Sequence, residues 1–197
     1  MSKTEGLVHS GITEKTPGNI LLGAGTIHKG LKFSGGKWNF AESLVGATSG
    51  GNSLKILPEL KDIEVDGALV KMKGLTVKQG EKASLEINLI ETTPDIIKSA
   101  LIAQDGNAAA DMTGYSVIES KSQIAEGDYW ESIAFVGTTI SDTPIIAILD
   151  NALCTSGLSL DGKNKDGTVG KYTFECSQAL TGDSTILPYH IYYPTAG

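Results

Sequence analysis

Arginine is missing from this chain of 197 residues: all 16 basic positions are lysine, set against 23 acidic ones, for a formal net charge of -7 and a pI near 4.9. Without the forked guanidinium that reads guanine edges and clamps paired phosphates, and with an acidic balance, stable nucleic-acid binding is disfavoured. Cysteine is nearly absent as well. Cys154 and Cys176 are too few for a disulfide scaffold and read as free, partly buried thiols. No window reaches the roughly 20 apolar residues of a membrane span, and MSKTEGLVHSG has no stretch of signal-peptide length, so a soluble cytoplasmic product and no membrane partner are expected. The three histidines, His9, His28 and His190, are too far apart for a local metal motif. What is abundant is glycine, 24 residues, beside a 40% hydrophobic share. One domain over residues 1–197, with its own core and many turns, follows from that length and composition.

Read along the chain, residues 1–18 are a polar arm ending in Pro17-Gly18. ILLGAGTI suits a first strand. Its GxG lacks the third glycine of a dinucleotide fingerprint, because His28 stands there. Residues 32–58 form a long excursion with Trp38, Phe40, Leu44 and Val45 as apolar anchors. Asp66-Gly67 marks a hairpin turn between LKDIEVDG and ALVKMKGLTVKQG. From residue 81 the period is two, with Leu85, Ile87 and Leu89 on one face and Ser84, Glu86 and Asn88 on the other. Thr93-Pro94-Asp95 starts the one clear helix, with Ile97 and Leu101 and the neighbouring Ile96 and Ala100 facing a sheet and Gly106 beyond its end. AQDGNAAADMTG reads as an exposed excursion. Further strands follow in DYWESIAFVGT, covered on both faces, in the run from Pro144 to Leu149, in YTFEC and in YHIYYP. The fold class is mainly β.

Chemistry-bearing motifs are weak throughout. GATSGGNS, residues 46–53, has Walker-loop spacing, but Asn52 replaces the lysine that carries a cation to phosphate, and Pro58 follows where a helix must open. DGKNKDG puts Lys163 and Lys165 where a calcium loop needs oxygen ligands, so a solvated turn is expected. Neither an acid and base pair of carboxylates nor a GxSxG elbow stands out. No catalytic, cofactor-binding or metal residue is assigned, and the chain is read as a non-enzyme without cofactor.

Four passages in order, LLGAGTI, then ESLVGATSGGNSL running into LKDIEVDGALV, then GLTV with EKASLEINLIETTPDIIKSAL, and finally TPIIAILDNALCTSGLSL with a terminal HIYYP, resemble the major tail tube proteins of long-tailed bacteriophages, of the non-contractile, siphovirus type. The resemblance covers most of residues 19–103 and, more weakly, 128–193. It implies an antiparallel β-sandwich or barrel-like fold with one flanking α-helix and a long stacking loop, related to contractile-tail and type VI secretion tubes. It also implies hexameric rings that stack into a hollow tube of the virion tail, made in the host bacterial cytoplasm. Such a tube encloses the tape measure protein, meets tail terminator and distal tail proteins at its ends, and passes DNA without reading its sequence.

On that resemblance residues 33–60 are the inter-ring or inter-subunit loop, with Trp38, Phe40, Leu44 and Val45 as contacts, and residues 1–18 are the arm joining rings. Trp38→Ala is then expected to weaken assembly more than folding, and the lumen to be acidic. Two passages depart from the family pattern, AQDGNAAADMTGYSVIESK and SQALTGDSTILPYH. The competing readings are a contractile or secretion-type tube protein, a virion cement or baseplate β-sandwich, and a soluble enzyme holding nucleotide at residues 46–53.

Overall fold

Period-two alternation sets the antiparallel strands that make up most of the regular structure. The computed structural model describes residues 10–108, 112–160, 162, 164–165 and 167–194. A helical turn, α1 (Thr16–Asn19), precedes β1 (Leu21–Lys29). The small ribbon of β2 (Phe33–Ser34) and β3 (Lys37–Trp38) and the turn α2 (Phe40–Ser43) lead to the long hairpin of β4 (Ser53–Asp62) and β5 (Thr76–Leu89). Then come α3 (Pro94–Leu101), β6 (Ala103–Gly106), β7 (Val117–Ser120), β8 (Trp130–Thr139), β9 (Pro144–Cys154), β10 (Gly170–Cys176) and β11 (Tyr189–Tyr192).

One curled, half-barrel sheet runs in the order β1-β8-β9-β10-β5-β4, every pairing antiparallel. The free edge of β9 is divided. β11 takes residues 146–149 and β10 takes residues 152–154, and Asn151 at the division has a positive φ of 48°. The expected sandwich or barrel-like form is therefore a single sheet bent toward closure.

The inner face of the bend holds the main core: Ile27, Leu85, Ile87, Leu89, Ile133, Leu149, Tyr172 and Phe174 are all essentially buried, and the Trp130 ring lies 4.5 Å from that of Phe174. β8 is covered on both faces, as its sequence predicts. Ala134, Val136, Ile146 and Ile148 form a second cluster on the outer face, under Leu31, Trp38 and Phe40.

α3 closes one side of the main core. Thr93 Oγ1 accepts from the Ile96 N–H at 3.3 Å, Pro94 occupies the first turn, and Asp95 lies near the positive end of the dipole. The buried stripe is Ile96 and Ala100, whereas Leu101 is half exposed. The helix stops at Ile102, whose left-handed φ of 49° ends it well before Gly106. AQDG is not a loose excursion: it is β6, paired residue for residue with β7. Residues 109–111 of that excursion, and residues 161, 163 and 166 of the DGKNKDG turn, lie outside the described residues.

Tyr172 carries the one buried side-chain polar atom that lacks a hydrogen-bond partner among the described residues, its hydroxyl. A buried donor without a partner costs about 1–3 kcal/mol. Tyr172→Phe is therefore expected to raise the melting temperature by roughly 2–4 °C, for about 1 kcal/mol regained, which calorimetry reads directly.

Candidate assembly surfaces

GATSGGNS, with Val45 just before it, proves to be a strap that ties β1, at one end of the sheet, to β5, one strand in from the other. The Val45 N–H donates to the Ile27 carbonyl of β1 at 2.9 Å, while the Ser49 N–H donates to the Asn88 carbonyl at 2.9 Å and the Ile90 N–H to the Ala47 carbonyl at 3.0 Å. Residues 44–49 thus bridge the first strand to the end of β5. Asn52, the letter that breaks the Walker pattern, is the stitch between them: its amide donates to the Ala24 carbonyl at 3.1 Å, and its oxygen accepts from the Asn88 N–H at 3.2 Å. A phosphate cradle needs free backbone N–H groups and positive charge. Here the Ala47 N–H is held by the Glu91 carboxylate at 2.9 Å, which repels an anion. Asn52→Lys is expected to bind no nucleotide and to lose about 1–3 kcal/mol of stability, measured by titration and denaturant unfolding.

His28 sits beneath the strap, 3% exposed, with Nε2 2.9 Å from Thr26 Oγ1, Nδ1 2.9 Å from Ser43 Oγ and its ring edge-on to Phe40. Burial lowers its pKa, only partly opposed by a hydrogen bond to the Phe40 backbone. The unfolded chain therefore binds more protons than the folded one between the lowered folded value and the ordinary value near 6.5. Stability falls as pH drops below about 6.5, and His28→Gln is expected to flatten that part of a melting-temperature profile against pH.

Three of the four anchors expected in the 33–60 segment, Trp38, Phe40 and Val45, turn inward. Trp38 lies 5.0 Å from Tyr192, 5.2 Å from Phe33 and 6.5 Å from Phe40, ring centre to ring centre, on the outer face of β8 and β9. Val45 packs on the main core, and Leu44 alone of the four is left half exposed. Trp38→Ala thus removes packing within the subunit, so its cost falls on folding first. Of the arm, residues 1–9 lie outside the described residues. Residues 10–14 are exposed, α1 buries nothing, and the Tyr193 hydroxyl donates to Asn19 Oδ1 at 2.9 Å.

The far part of the β4–β5 hairpin has no such packing among the described residues. β10 pairs β5 only from Ser84 to Leu89, so among the described residues β4 is the sole strand partner of residues 76–83, and past the buried Ala83 the ribbon projects beyond the paired sheet. Every residue from 57 to 74 is exposed. Leu57, Leu60, Val65, Val70 and Met72 are at least half exposed and Leu69 is 97% exposed. A two-stranded ribbon is marginal alone in water, and a string of exposed aliphatics marks a contact surface.

The outward face of β4, β5 and β10 is polar. Lys55, Lys82 and Lys171 alternate there with Glu59, Glu86 and Glu175, with Lys55 bonded to Glu86 at 2.5 Å and Lys82 to Glu59 at 2.6 Å. Three of each sign leave this face charge-balanced.

Both thiols are free. Cys154 is buried, and Cys176 donates to the Asp150 and Pro188 carbonyls, with burial and the Asp150 charge pushing its pKa up to about 12. Among the described residues no three of His, Cys, Asp and Glu gather as a metal site, and no helix is long and apolar enough to cross a membrane.

No family model matches the chain, and no curated protein does. Six chains of solved structures match it. One belongs to the virion of a native gene transfer agent particle, at 11% identity and a TM-score of 0.42, covering 79% of this chain and 92% of that one. At that level the likeness carries nothing about function.

Proposed function

We propose that the chain is a structural subunit that polymerises, the tail tube protein of a non-contractile phage-type tail. The projecting hairpin carries this reading: a ribbon whose aliphatic residues pack on nothing among the described residues calls for a second surface, and a repeated contact between unlike surfaces generates an open-ended polymer. Among the described residues the outer edges of β1 above the strap and of β4 have no strand beside them, and joining such edges between copies satisfies their hydrogen bonds and gives a ring.

In this reading the rings are hexameric and stack into a hollow tube that encloses a tape measure protein and conducts DNA. Tail terminator and distal tail proteins cap its ends. In place of the acidic lumen expected from the resemblance, this reading lines the lumen with the balanced Lys and Glu face of β5 and β10, which lets a polyanion slide without a lysine track to hold it. A contractile or secretion-type tube uses the same subunit chemistry and is separated by whether a sheath protein binds outside. A nucleotide enzyme is disfavoured by the strap, whose amides are already bonded to β5 and Glu91.

The test shortens the hairpin. Asp62 and Thr76 are its last paired residues, so replacing residues 63–75 with Asn-Gly closes the ribbon with a favoured two-residue turn. Sedimentation velocity is expected to show concentration-dependent large species for the natural chain and a small folded species for the shortened one. Equal polymerisation by both overturns the reading.

A further inference from the structure

The sequence holds an Asp-Gly dipeptide four times, at Asp66, Asp105, Asp161 and Asp166. Asp161 and Asp166 lie outside the described residues, and the other two dipeptides sit in opposite settings. Asp66-Gly67 is the middle of a turn closed by the Ala68 N–H donating to the Val65 carbonyl at 3.0 Å, with Gly67 at a φ of 84°. Both residues are exposed, and among the described residues the Asp66 carboxylate has no ion pair. The Asp66 carbonyl and the Gly67 N–H have no backbone partner among the described residues either, so the peptide between them rotates without breaking a contact. A Cβ built on Gly67 meets nothing within 4 Å. The ribbon is tied below this turn, by the Ile63 N–H donating to the Leu75 carbonyl at 2.7 Å and by Lys71 on Asp62 at 2.9 Å, so the turn moves without unfolding its base.

Asp105-Gly106 is the reverse case. It ends β6, with Asp105 opposite Ile118 and Gly106 opposite Val117 in the ladder. Lys98 Nζ holds the Asp105 carboxylate at 3.3 Å, and a Cβ built on Gly106 would run into the Glu119 side chain.

We propose that Asp66-Gly67 is a modification site, at which the aspartate converts spontaneously to isoaspartate in the folded subunit. The Gly67 main-chain nitrogen attacks Cγ of Asp66, and an N–Cγ bond forms as a Cγ–O bond of the protonated carboxyl breaks. The departing hydroxyl leaves as water with the amide proton, and a succinimide remains. Water then adds at the Asp66 main-chain carbonyl carbon, and the bond from that carbon to the Gly67 nitrogen breaks, its electron pair and a proton going to the nitrogen. One water leaves and one enters, with no redox change. Glycine admits the attack because no Cβ crowds its nitrogen. The product carries the chain through Cβ and Cγ, which adds a methylene to the main chain and alters the Val65–Ala68 turn. At Asp105 the same step requires the ladder to open first. The inference rests on this turn and not on the polymer reading, which sedimentation tests separately.

The experiment keeps the full-length chain dilute at physiological temperature and pH for several weeks. Tryptic peptides 62–71 and 99–121 are then mapped by mass spectrometry, and methyl transfer from S-adenosylmethionine by an isoaspartyl methyltransferase gives a second readout. Isoaspartate at residue 66 is expected to exceed that at residue 105 by at least about tenfold. In urea, with the ladder gone, the two sites are expected to convert alike. Asp66→Glu keeps the charge but needs a larger ring, and is expected to remove the signal from its peptide without changing the melting temperature. No conversion at residue 66, or equal conversion at the two sites in the folded chain, overturns the proposal. A ratio as large in urea as in the folded chain also overturns it, because neighbouring residues and not the fold then set the rate.

Discussion

Leu69→Asp combined with Val70→Asp is expected to abolish polymer formation while leaving the melting temperature of the subunit within about 1 °C. Leu69 is 97% and Val70 72% exposed, so the subunit spends nothing on them. Burying two such side chains in a partner contributes about 3–5 kcal/mol per contact, which is roughly 150- to 4,000-fold in affinity and is repeated at every junction. A carboxylate at each position reverses the sign of that contribution, because a charge taken from water without a partner is costly. Light scattering against concentration and a calorimetric scan of the same samples read both halves. A double variant that still polymerises removes the tip from the interface, and one that unfolds shows the tip to be part of the subunit's own fold.

Gly25→Ala is expected to cost roughly 3 kcal/mol of subunit stability, a fall of about 6–12 °C in melting temperature. In β1 the pairing with β8 shifts between Leu22 and Thr26, so the GAG of LLGAGTI is a bulge facing one residue of β8. Gly25 takes a φ of 68°, and a Cβ built on it meets the Phe135 ring and comes within 2.9 Å of the Val136 carbonyl oxygen. The ring has to move, and the backbone oxygen cannot easily follow. Gly23, with a φ of 79° and nothing within 4 Å of its Cβ, separates the two contributions: Gly23→Ala keeps only the conformational one, about 1 kcal/mol. Equal losses at both positions contradict this account of the bulge.

Local signals were legible where one short stretch settles the structure. Thr93-Pro94-Asp95 marks a helix start because cap, ring and dipole act within one turn. Alternation through residues 81–89 marks a strand buried on one side. Three features depend on residues distant in sequence and leave no local trace. The polar AQDG becomes a strand only because VIES lies beside it. Trp38 looks like an exposed anchor in its glycine-rich setting, yet Tyr192, far along the chain, covers it. Asn52 appears as the failure of a phosphate motif, and its use as a stitch requires Ala24 and Asn88. The hairpin is the reverse case. Asp66-Gly67 correctly indicates a turn, but the ladder stops at Asp62 and Thr76, and residues 63–75 form the tip. Val65, Leu69 and Val70 read as residues of paired strands, because a sequence pattern does not say whether an aliphatic side chain is covered by its own subunit or by a neighbour.

Negative-stain electron microscopy of the natural chain across a concentration series tests self-assembly most directly. Stacked rings with an open centre, lengthening as concentration rises, are the predicted images. A dispersed subunit at every concentration, or aggregates with no lumen, contradicts the proposal that this fold is built to polymerise.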